Sequence, residues 1–117
     1  MFMLNKHKQT FNIKPRSKQR PRTTRSGHTY TPKETKEYEQ FISKAYTGVA
    51  FPEGPLHITL VFDNDKTEIT IQELRPPKNP SKLRGDIDNY AKAILDALNG
   101  VAYTDDKQIV RLDLKKK

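Results

Sequence analysis

The residues best suited to chemistry lie in GDIDNYAKAILD, residues 85–96. Asp86 and Asp88 stand two apart at the start of a helical pattern, and Lys92 follows one turn after Asp88. One aspartate is enough to cap a helix, a role worth about 0.5–2 kcal/mol, so the second asks for another use. Positions i and i+2 do not share a helix face. The two carboxylates can converge only if Asp86 lies in extended backbone and Asp88 in the first turn, a bend that Gly85 eases. A second pair, Asp105-Asp106, stands in YTDDKQIV, where the ordinary role is a turn. The return from the helix can bring this pair to either end of it. Carboxylates crowded together repel, and one is forced to hold a proton unless a cation relieves them. The chain has no cysteine and three histidines, so its donors are oxygens. That suits Mg²⁺, with Mn²⁺ as a substitute. Three or four aspartates with water make such a shell, and metal-assisted phosphodiester cleavage is the chemistry it serves. Asp63-Asn64-Asp65 begins like a calcium loop, but Glu68 and Leu74 stand where that loop needs glycine and glutamate. It therefore reads as a hairpin turn.

The charge distribution points to a phosphate-bearing partner. The net charge is +8, and residues 1–33 hold nine Lys or Arg and no acid, whereas the remainder is nearly neutral with thirteen basic and fourteen acidic residues. An acid-free basic arm attracts polyanions, nucleic acid above all; the plainer reading is a solvated tail. Arg16, Lys18, Arg20, Arg22 and Arg25 are the expected phosphate contacts, with Lys82 and Arg84 in a second basic loop just before the first acidic pair. Such contacts position DNA without reading bases. Tyr30 and Tyr103 can stack on unpaired bases, although packing is the commoner use of such rings.

These side chains need elements to hold them. TFNIK, residues 10–14, is a short strand candidate. Residues 15–32 carry three prolines and repelling cations, so they form a flexible basic loop, of which residues 15–29 are expected to be unordered without DNA. Thr31-Pro32-Lys33-Glu34 has the form of a capping box with proline at the first helical position. Tyr38, Phe41, Ile42 and Ala45 then recur at helical spacing up to about Thr47, with Gly48 as the stop. Pro55–Phe62 and Thr67–Leu74 read as a β-hairpin, with Leu56, Ile58, Leu60 and Phe62 on one face. Asp88–Asn99 is a helix whose apolar face is Ile87, Tyr90, Ala91, Ile94, Leu95 and Leu98, closed by Asn99-Gly100. Lys92 is spaced for an ordinary ion pair with Asp88 or Asp96. Gln108–Leu114 alternates as a final strand. The expected fold is therefore α+β: a two-layer domain over residues 1–117, in the order β-α-β-β-α-β, with a mixed sheet and two helices on one face.

Hydrophobic residues are 33% and charged residues 31% of 117, thin for an isolated globule of this size, which either dimerisation or a disordered segment would account for. No apolar run approaches the eighteen or so residues of a membrane span. The start lacks the apolar stretch of a secretory signal. A cytoplasmic protein is expected.

On these residues the chain resembles the RusA-type Holliday junction resolvases. GDIDNYAKAILDALNGVAYTDDKQIV, residues 85–110, is similar to that family's D-x-D-N-x-x-K-x-x-x-D-x-L…D-D-x-Q-(V/I) signature. Residues 18–42, KQRPRTTRSGHTYTPKETKEYEQFI, resemble its basic R-P-R loop, Y-T-P turn and following helix. The resemblance implies a homodimeric, Mg²⁺-dependent crossover junction endodeoxyribonuclease of recombination and repair, of a kind often carried by bacterial phages and prophages and associated with the nucleoid. It implies that four-way DNA junctions are nicked in symmetric pairs, leaving 5′-phosphate and 3′-hydroxyl ends. By motif position, Asp86, Asp88 and Asp106 correspond to the catalytic, metal-holding aspartates and Lys92 to the functional lysine. Asp105 is an additional candidate metal donor, and Asp96 is read as structural. Gly85 departs from the family's frequent proline. The competing reading is a non-catalytic, architectural DNA-binding protein, which needs the basic arm but not the acids; a structural RNA-binding protein lacks its usual aromatic motifs here.

Overall fold

The computed structural model describes residues 4–17, 22–30, 32–76, 78–79 and 81–117. The chain divides into two compact units, Met1–Pro76 and Pro77–Lys117.

In the first unit, β1 (Lys6–Phe11), β4 (Leu56–Phe62) and β5 (Thr67–Glu73) form an antiparallel sheet in the order β1-β5-β4. β1 begins before the expected Thr10–Lys14, because its useful alternation lies earlier: His7, Gln9 and Phe11 turn inward while Lys6, Lys8 and Thr10 face water. Phe11 is buried and pairs with buried Thr67. The β4–β5 hairpin forms as expected. Asp63 N–H donates to the Lys66 carbonyl at 2.8 Å, and Asn64 N–H to the Asp63 carboxylate at 2.7 Å. Asp63-Asn64-Asp65 is thus turn chemistry, as its residues indicate.

Between β1 and β4 lie a short hairpin, β2 (Arg22–Thr23) with β3 (Thr29–Tyr30), and helix α1 (Lys33–Ala45). The hairpin corrects the expectation that residues 15–32 are loop throughout. Gly27 N–H donates to the Thr24 carbonyl, Thr24 N–H donates to the His28 carbonyl, and Gly27 takes a φ of +87°. This is a tight turn followed by a left-handed residue, a connection that hairpins favour. Helix α1 has Pro32 at its N-cap with no side-chain cap, and Thr31 lies outside the described residues. Gly48 does not stop the helix; Tyr46 does, in extended backbone. Gln9 ties β1 to that end: its amide donates to the Ala45 carbonyl at 2.6 Å and its oxygen accepts from Thr47 N–H at 3.0 Å. The His7 and Tyr46 rings meet edge to face at 5.1 Å, and a Cβ on Gly48 would lie 2.6 Å from His7 Cδ2. Close packing is the reason for glycine there.

The second unit holds helix α2 (Ile87–Leu98) and one turn of 3₁₀-helix, Asp106–Gln108. The expected final strand over 108–114 does not form, and residues 109–117 adopt no regular element. The segment alternates as a strand should, but alternation creates a strand only where an edge is available to pair, and the described residues of this unit hold no strand. The sheet is accordingly antiparallel and three-stranded rather than mixed.

Candidate active site

Asp86 occupies the N-cap position of α2 in extended backbone, at φ −70° and ψ 142°, and Asp88 lies in the first helical turn. This is the bend that convergence of the two requires. The Asp86 carbonyl accepts from Asn89 and Tyr90 N–H at 3.1 and 3.2 Å, but its carboxylate makes no capping bond. The simple cap explanation for this residue therefore fails. Both carboxylates are exposed, and they stand where the helix dipole favours negative charge.

Gly85 contributes through packing. Its N–H donates to the Tyr90 hydroxyl at 3.1 Å, and a Cβ there would come within 2.9 Å of the Tyr90 ring. The Gly85 carbonyl accepts from Lys116 Nζ at 3.0 Å. Lys116 thus returns to the acidic end of α2, a juxtaposition nothing in the sequence announced. Lys92 is exposed, and no ion pair joins it to Asp88 or Asp96 among the described residues. Lys82 and Arg84 are exposed in the irregular segment leading to Asp86.

The second acidic pair goes to the other end of the helix. Asn99 and Gly100 close α2, with Gly100 at φ +80°. Tyr103 then folds back: its hydroxyl donates to the Leu95 carbonyl at 2.7 Å, and its own carbonyl accepts from Gly100 N–H at 2.7 Å. Tyr103 is half-buried, so packing is its role. Burial, and then the charges of Asp106 and Asp96, raise its hydroxyl above the ordinary range. Asp105 caps the 3₁₀ turn by accepting from Lys107 N–H at 2.9 Å. That bond, helped by one from Asp106, holds its carboxyl below the usual range. Asp106 is raised, first by its hydrogen bond with Asp105, then by partial desolvation and the charges of Asp105 and Asp96. Asp96 acts on Tyr103 and Asp106 through its charge.

Asp86 and Asp88 are therefore separated from Asp105 and Asp106 by the length of the helix. Asp88 to Asp96 alone spans about 12 Å along the axis. No group of three acidic or histidine side chains that could hold a metal ion exists among the described residues. The donor chemistry suits a hard cation, but within one chain the acids do not assemble around one.

Of the basic residues, Arg16 and Arg25 are exposed, Arg25 in the β2–β3 turn. Arg22 pairs through its backbone with Tyr30. Lys18 and Arg20 lie outside the described residues. Arg16 also borders a cleft of about 380 Å³, whose wall includes Glu34 and Glu39. Those carboxylates disfavour a phosphate inside it. Sequence reasoning took Gln108 as a signature position and the start of a strand but missed its capping role: its oxygen accepts from Thr104 and Asp105 N–H at 2.8 and 3.1 Å. Its signal was available: an acid followed three residues later by glutamine is a capping box.

Comparison with curated proteins and with solved structures gives no match. The family model for the endodeoxyribonuclease RusA matches residues 12–117, which include most of the basic arm, both helices and both acidic pairs. On that nearly complete match, the chain belongs to the RusA endodeoxyribonuclease family.

Proposed function

We propose that this protein is a structure-selective endonuclease that resolves four-way DNA junctions by symmetric paired nicks, leaving 5′-phosphate and 3′-hydroxyl ends. Family membership supports nuclease action on junction DNA in recombination. The observation that carries the reading to this chain's own residues is the start of α2. Two carboxylates stand there, Asp86's makes no capping bond, and Lys92 is not paired with either neighbouring acid. A DNA-binding module without catalysis has no use for that arrangement.

The basic residues of the arm and of the loop before α2 hold phosphates, and Lys92 bears on the charge of the scissile phosphate. Mg²⁺ is part of the proposal through donor chemistry: the candidate ligands are carboxylates, with Mn²⁺ as the natural substitute. A homodimer is proposed on the same ground. Two copies with antiparallel α2 helices bring Asp105 and Asp106 of one chain towards Asp86 and Asp88 of the other, and a two-fold dimer matches the two-fold symmetry of a junction.

The test is a labelled four-way junction incubated with the protein in Mg²⁺, beside Asp88→Asn. Paired, symmetric nicks that disappear in the variant are expected. Junction binding without cleavage in either Mg²⁺ or Mn²⁺ would favour the architectural reading instead.

A further inference from the structure

Asp105 and Asp106 are presented by a single turn of 3₁₀-helix, too short to keep its shape through backbone bonds alone. The turn is organised around one side-chain oxygen. Gln108 Oε1 accepts from both Thr104 N–H and Asp105 N–H, at 2.8 and 3.1 Å, while the Asp105 carboxylate accepts from Lys107 N–H at 2.9 Å. The connection to α2 is fastened at its other end, where the Tyr103 hydroxyl donates to the Leu95 carbonyl at 2.7 Å. The carboxylate of Asp105 is thus engaged in the cap, and the Asp106 carboxyl is hydrogen-bonded to it, so the geometry of the cap also sets where Asp106 stands.

We propose that Gln108 is a positioning residue for Asp106, with Tyr103 as the anchor of the same turn on α2. The inference rests on the nuclease reading above, in which Asp106 is a working acid. Without the Gln108 oxygen, two converging amides lose their common acceptor. The turn then relaxes, and the backbone that aims the Asp106 carboxylate is released. Displacement of a reacting group by about 1 Å is enough to cost two orders of magnitude in rate.

Two variants of the full chain separate this role from general packing. Gln108→Met keeps the bulk and removes the acceptor; Gln108→Glu keeps an accepting oxygen at the same reach. Loss of such a supporting contact is expected to lower kcat for junction cleavage about 10–100-fold in Gln108→Met. KM, and junction affinity without divalent cation, should be unchanged. Gln108→Glu should recover most of the rate. Amide hydrogen exchange at Thr104 and Asp105 should be slow in the wild type and in Gln108→Glu, and fast in Gln108→Met. Fast exchange in the wild type, slow exchange in Gln108→Met, or equal loss of kcat in both variants overturns the proposal. Failure of the wild type to cut a junction refutes the nuclease reading instead, and the exchange comparison still decides whether Gln108 holds the turn.

Discussion

At the scale of single residues, the two acidic pairs differ in what surrounds them. The second pair is coupled: Asp105 is held low by the Lys107 N–H and by Asp106, and Asp106 is held high by Asp105. The two therefore retain a shared proton above the pH at which an ordinary aspartate has ionised. The signs oppose one another in stability. Asp105 contributes stability above the ordinary aspartate range and loses it as pH falls through its lowered value; Asp106 disfavours the folded state as pH rises from the ordinary value through its raised one. Replacing Asp105 with asparagine removes the neighbouring charge, and the Asp106 carboxyl is expected to titrate lower. Carbon-13 NMR of the carboxyl resonances measures this directly, and an unmoved Asp106 would refute the pairing. For Asp86 and Asp88, the side-chain types announced the chemistry, and the missing capping bond at Asp86 distinguishes it from ordinary helix capping.

At the scale of elements, the start of α2 depends on how Tyr90 packs over Gly85. A methyl group at position 85 meets the Tyr90 ring at 2.9–3.1 Å, and the ring must move away from the backbone it covers. Gly85→Ala is expected to destabilise the protein by about 1 kcal/mol, the lower end of overpacking costs, and to weaken the bond from Gly85 N–H to the Tyr90 hydroxyl. Urea denaturation gives the first quantity, and the Gly85 amide shift reports the second. Helix α2, the β4–β5 hairpin and the turn at Asp63–Lys66 were legible from periodicity and turn residues, because those signals act within a few residues of the chain. The β2–β3 hairpin was not. Its cations and the prolines around it argue for a loop, and the four-residue backbone pattern closed by Gly27 outweighs them.

At the scale of the molecule, much apolar surface is left open. β4 is exposed along its whole length, and α2 presents Ile87, Tyr90, Ile94 and Leu98, with Ile94 62% exposed. Among the described residues of 77–117, none is buried. Such surface marks an interaction site, in keeping with the proposed homodimer. Sedimentation should give twice the chain mass of 13.5 kDa, and Ile94→Glu should shift the protein towards monomer and abolish cleavage while its circular dichroism remains that of a folded chain. A monomeric wild type that cuts in symmetric pairs would exclude the dimer. The basic arm predicts strong salt dependence. If about five of its cations engage duplex phosphates, log affinity falls against log salt with a slope of about −4 to −5. Arg25→Ala should reduce that slope by about one, measured by fluorescence anisotropy.

The sequence by itself determined the chemistry on offer: oxygen donors, a basic arm, a lysine one turn from an acid, and a spacing that resembles one nuclease family. Residue type and short-range spacing carry that information wherever the chain goes. Only the tertiary structure decided where the pieces meet. The Tyr103 hydroxyl, bonded to the Leu95 carbonyl, holds Asp105 and Asp106 at the end of α2 opposite Asp86 and Asp88. Residues 108–114 kept their alternation yet formed no strand, because a strand is completed by the edge it pairs with, and pairing is a property of the fold rather than of the segment.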